Sequence, residues 1–143
     1  MKAATIYERK GMLYVHSSSK TTAGIWMITP PVLAVVKHDT AGVGRAIREC
    51  LSASREGVPH PKVFTDLFTP VLNLAGVKSI GTFGKLAKCV EAEMDDGARV
   101  TLTPTRNGGS REGFVPLPDK ALVALNSDEA LGTAAVAALV GSE

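Results

Sequence analysis

The side chains of this chain that could do acid–base, nucleophilic or metal chemistry are few and widely spaced. His16, His38 and His60 fall 22 residues apart, and none stands near a Cys or carboxylate at ligand spacing. A zinc site needs at least three organised ligands, so no metal is assigned. Cys50 and Cys89 are too far apart for a CxxC motif. His60 with Cys89 is the one thiol–imidazole pair the sequence could offer, and nothing in the local sequence joins them. A Gly-x-Ser-x-Gly elbow is absent. Gly76–Lys85 (GVKSIGTFGK) has the glycines of a phosphate loop, but Leu86 follows Lys85 where Ser or Thr is required. Gly108-Gly109 reads as a turn. No catalytic residue, metal or cofactor is assigned.

One arrangement of charged groups does stand out. Glu91, Glu93 and Asp95 share one side of an alternating run, with Asp96 in the turn that follows. Alternation puts such residues on one face of a strand, so the expectation is an acidic strip. As a plain solvated face it would carry a cross-strand pair to Arg99; as a functional one it would dock a basic partner. Cys89 lies on the same side, read as a solvent-side or partner-side thiol, and Arg106 further along completes the candidate docking set.

These residues need elements to hold them. Ala3–Glu8 and Met12–Ser17 are β-favouring runs joined at Arg9-Lys10-Gly11. The polar segment from Ser17 to Gly24 breaks that pattern. Ile25–Ile28 and Val32–Val36 read as two short strands around Pro30-Pro31, buried on both faces or central in the sheet. Val43, Ile47, Cys50 and Leu51 then fall at helical spacing behind Asp39 or Thr40 as cap, which makes Cys50 a core residue. Pro70 starts a short helix that Gly76 ends. Val90, Ala92 and Met94 alternate with the acids, and Ala98, Val100 and Leu102 alternate after them. A three-residue Asp95-Asp96-Gly97 turn pairs Met94 with Ala98 and sets Glu93 opposite Arg99. A strand near Ala121–Leu125 precedes a helix capped at Asn126 or Ser127, with Leu131, Ala134, Ala135, Ala138 and Leu139 as its packing stripe. The sum is a single α+β domain over residues 1–143: a mainly antiparallel twisted sheet of five or six strands with packed helices.

Composition agrees. With 143 residues, 45% hydrophobic and 21% charged, the chain is in the globular range rather than the disordered or coiled-coil one. A formal charge of +2 argues against a nucleic-acid or anionic-membrane surface. That total hides an asymmetry: residues 1–75 hold 9 basic and 5 acidic groups, residues 76–143 hold 7 and 9. No secretory signal opens the chain, and Leu131–Val140 is shorter than the roughly 20 residues a membrane helix needs. A cytoplasmic location with both thiols reduced is expected.

Four strings then carry a family resemblance. They are Ser17–Thr29 with Trp26, leading into Pro30-Pro31; Gly57-Val58-Pro59-His60-Pro61; Leu74-Ala75-Gly76-Val77-Lys78-Ser79 with Thr82-Phe83; and Thr103-Pro104-Thr105-Arg106-Asn107 followed by Gly113-Phe114. In this order, from Met12 to Val140, the chain resembles the immunity proteins of bacterial contact-dependent growth inhibition (CDI) systems. The resemblance implies a compact cytoplasmic inhibitor, not an enzyme. Its partner would be the C-terminal toxin domain of a large exported protein, commonly a nuclease, and some relatives accept a toxin β-hairpin along their own sheet. When free it would be a monomer or weak dimer. Met1–Gly11 lies before the matched region and reads as an extension or an edge strand. The alternatives are an adaptor that uses an open sheet edge or, less favoured, a small enzyme built on His60 and Cys89.

Overall fold

The computed structural model describes residues 1–143. Strands β1 (Lys2–Arg9) and β2 (Met12–Thr21) form a hairpin whose turn uses Lys10 and Gly11, both at positive φ (53° and 80°), as a two-residue turn matched to strand twist requires. β3 (Trp26–Val36), helix α1 (Thr40–Ala53) and β4 (Glu56–Val58) follow. Two short helices come next, α2 (Thr69–Ala75) and α3 (Ile80–Lys85), then β5 (Lys88–Met94) and β6 (Arg99–Asn107). A helical turn α4 (Gly109–Glu112), β7 (Phe114–Pro116), a 3₁₀ turn at Pro118–Lys120, β8 (Leu122–Leu125) and α5 (Asp128–Gly141) complete the chain. The sheet runs β3-β2-β1-β5-β6-β7, with β8 also on β6 and β4 parallel to β2.

The α+β class is as expected, and the sheet is larger: eight strands. β4 and β7 have three residues each, too few to show a period. Three expectations are corrected. Residues 1–11 are neither an extension nor an edge, because β1 lies between β2 and β5 with Ile6 fully buried. Ile25–Ile28 and Val32–Val36 are not two strands, and neither run is buried on both faces or at the sheet centre. They make one edge strand, where Pro30 and Pro31 are tolerated because the outer side needs no ladder donors. β2 runs on through the polar segment with Ser17, Ser19 and Thr21 buried: Ser19 shares a hydrogen bond with Thr29 (2.9 Å) and Thr21 with His60 (2.9 Å), while Ser17 Oγ has no partner.

Helices α1 and α5 seal one face of the sheet. Asp39 caps α1 by accepting from Gly42 N (3.1 Å), and Ser127 caps α5 by accepting from Ala130 N (3.3 Å). Gly44 of α1 lies against the Asp128 carbonyl and Gly132 of α5 against the Thr40 carbonyl, so a Cβ at either position meets backbone. Between helices and sheet is a core of 18 residues, including Ile6, Leu13, Val15, Ile47, Cys50, Leu102, Leu131 and Leu139. Burying one such aliphatic side chain is worth about 1.5–3 kcal/mol.

Candidate functional site: the second face of the sheet

Residues that alternate with the core strands point to the other face. One row across it holds Ala34, Tyr14, Tyr7 and Cys89; the next holds Val32, His16, Thr5, Glu91 and Thr103; a third holds Ser18, Ala3, Glu93 and Thr101. α2 and α3 form a lid over the first row. Pro70 stands at the start of α2, Gly76 ends it at φ 70°, and the Ser79 hydroxyl caps α3 by accepting from Thr82 N (3.1 Å). The lid delivers Val71, Leu72 and Phe83 into a second apolar cluster with Tyr14 and Ala87. Tyr7 meets Phe68, Phe83 and Phe114 edge-on at 5.4–5.6 Å between ring centroids.

The resemblance strings thus divide by role. Gly76, Ser79 and Phe83 build the lid, while Lys78 is exposed beside it. Pro59, His60 and Pro61 hold the far end of β2, with His60 against Thr21 and its ring 5.2 Å from Phe64. Trp26 pairs opposite Lys20. Pro104 is buried opposite Val90, and Thr103 lies half-buried opposite Glu91.

Beyond the lid the second face is open, and the acidic strip lies there. Glu91 is half-buried and Glu93 and Asp95 are exposed, and none of the three makes an ion pair or side-chain hydrogen bond within the chain. Burial, and then repulsion from Glu93, raise the Glu91 carboxyl above its ordinary range. The β5–β6 register differs from expectation by two residues: Glu93 opposes Thr101, not Arg99. The connection is longer, with Asp96 Oδ1 accepting from Ala98 N (2.9 Å) and Arg99 N (3.2 Å) and Gly97 at φ 79°. A two-residue shift leaves every side chain on its face, so the face was readable and the exact pairing was not.

Two expected site residues leave the strip. Cys89 is only 2% exposed, and burial pushes its thiol far above the ordinary range; it is a buried residue under the lid rather than a docking thiol. Arg106 is near the other end of β6, paired with Glu112 at 3.0 Å. Arg99 is exposed opposite Leu125 of β8. His60 and Cys89 are not brought together: their partners on β2, Thr21 and the residue in the Cys89 row, Tyr14, are seven positions apart, roughly 23 Å at about 3.3 Å per residue.

Sequence reasoning missed two features. One is His16, 5% exposed beside Tyr7, with Nδ1 2.8 Å from the Ser17 carbonyl and burial lowering its pKa to about 4. The other is a groove of about 970 Å3 where the lid meets residues 107–114, floored by Tyr7, Phe68, Phe83 and Phe114 and rimmed by Lys85 and Lys88. Its signal was in the sequence: Tyr7 and Tyr14 alternate with core residues and so had to face something apolar on the other side.

The family model described as CDI immunity protein matches residues 2–142. The chain belongs to the CDI immunity protein family. The match takes in β1, which lay outside the recognised strings. In structure, the chain is similar to a protein of unknown function from Neisseria meningitidis (TM-score 0.81, 14% identity, covering 99% of this chain and 95% of that one). It is also similar to a chain in a CdiA-CT/CdiI toxin and immunity complex from Yersinia pseudotuberculosis (TM-score 0.78, 15% identity, 99% and 97% covered). At these identities the likeness is one of fold. Comparison with curated protein sequences gives no match. No helix is long and apolar enough to cross a membrane.

Proposed function

We propose that this CDI immunity protein neutralises the C-terminal toxin domain of its own system by binding it in the cytoplasm, not by catalysis. The toxin's basic surface would lie on the open part of the second sheet face. The observation that carries this placement is the set of carboxylates Glu91, Glu93 and Asp95 left without cations on a sheet face that no helix covers. A nuclease toxin suits such a strip, because a surface that neutralises phosphates is basic. Strand pairing would extend the contact at β8: β3 carries Pro30 and Pro31 and β7 carries Pro116, whereas Leu122–Leu125 has no proline and continues the open face through Arg99 and Thr101.

Co-expression with the toxin domain encoded beside this chain tests the reading: cells survive and a stable complex is recovered, and continued killing or no complex defeats it. Glu91→Lys with Glu93→Lys should slow association about tenfold at low salt, with the deficit shrinking as salt rises. A toxin cation near Glu91 would lower its raised pKa, so complex formation releases protons. Affinity should therefore fall as pH drops through the ordinary carboxylate range and just above it. Association rates indifferent to both salt and pH would place the toxin elsewhere.

A further inference from the structure

The groove beside the lid carries charge of the opposite sign from the strip. Ile80 and Leu86 flank it at 64% and 58% exposed and add aliphatic surface to its aromatic floor. Lys85 and Lys88 on its rim are exposed and form no ion pair. Arg9, two positions along β1 from Tyr7 on the same face, is buried with Nε unpartnered, which adds positive potential on that side. One acid lines the groove, Glu143, and it is already held by Lys120 at 2.7 Å. The floor is four aromatic rings in edge-on contact, an environment that accepts a large apolar side chain.

The groove and the strip are neighbours. Tyr7 forms the groove floor, and Glu91 is one row away on the adjacent strand. We propose that the two form one docking track of reversed polarity. In it, the groove takes an acidic loop of the toxin domain that carries a bulky apolar anchor, while the strip takes a basic segment of the same domain. This rests on the immunity reading above. It also explains a net charge near zero in an inhibitor, because the track needs both signs. An anchor seated in a desolvated pocket governs dissociation, and rim charges govern association.

The test is binding kinetics of the purified toxin domain, inactivated, to variants of the full chain. Leu86→Asp and Ile80→Asp should raise Kd at least tenfold, mainly through faster dissociation. Lys85→Glu with Lys88→Glu should slow association about tenfold at low salt. Val140→Asp, at an exposed apolar position on α5 (74%), is the control and should change nothing. Leu86→Ser repeats the test with a milder change, and thermal melts confirm each variant is folded. If wild type binds and all groove variants stay within twofold of it, the track is overturned and the immunity reading stands. If wild type forms no complex with the toxin domain, both fall.

Discussion

The two faces of the sheet are built from the same strands yet finished differently. On the first, two 14-residue helices cover the sheet, and the helix pair approaches closely enough that Gly44 and Gly132 admit no side chain. On the second, helices of seven and six residues cover one corner, and a buried His, a half-buried Glu and a row of Thr and Ser stand where a core would continue. The first face is complete within the chain. The second carries unpaired charge and exposed aliphatic surface, costs that a bound partner would offset. On the proposed reading, stability and recognition fall on opposite sides of one sheet.

Substitutions can break or sharpen this contrast. Leu102→Ala, on the sealed face, should cost about 3–4 kcal/mol in denaturant unfolding, through lost burial and the cavity left behind. Gly132→Ala should cost about 2–3 kcal/mol, because the Thr40 carbonyl it would strike is backbone. If either came in under about 1 kcal/mol, the first face would not be the rigid one. His16 titrates on the second face. Its folded pKa of about 4 lies below the ordinary 6.5, so its contribution is present above pH 6.5 and lost as pH falls toward 4. That amounts to about 2 kcal/mol of stability between pH 7 and 5, and His16→Gln should remove this part of the pH dependence. The smallest effect belongs to Glu91→Gln. Its raised carboxyl pKa means the charge opposes folding once ionised, so the neutral amide should leave stability at pH 7 unchanged or higher by under about 0.5 kcal/mol. A loss there would reveal a cation partner within the chain.

Much of the fold was legible because local rules acted alone. Asp39, Pro70, Gly76 and Ser127 took the cap and terminus positions their chemistry favours, and the core stripes of α1 and α5 fell on the expected residues. The acidic strip was also legible, since period-two alternation assigns faces whatever the partner. Parity could not fix which residue opposes which, so the Glu93–Arg99 pair was misplaced by two. Ser17, Ser19 and Thr21 misled for a different reason: polar side chains mark a loop by composition, and three of them are buried here among α1, β3 and β4. Cys89 was misassigned because alternation names a face but not whether another element covers it. The lid comes from residues 69–85 and reaches that face only through tertiary packing.

The position of β1 has a consequence for any shortened version of this protein. Its neighbours are β2, next along the chain, and β5, about eighty residues on. One ladder, of β3, β2 and β4, and another, of β5 to β8, meet nowhere in the sheet except through β1. Residues 2–9 act as the spine of the molecule. Trimming them as a disposable leader would split the sheet into two pieces, each with a long bare edge ready to pair with whatever strand it meets.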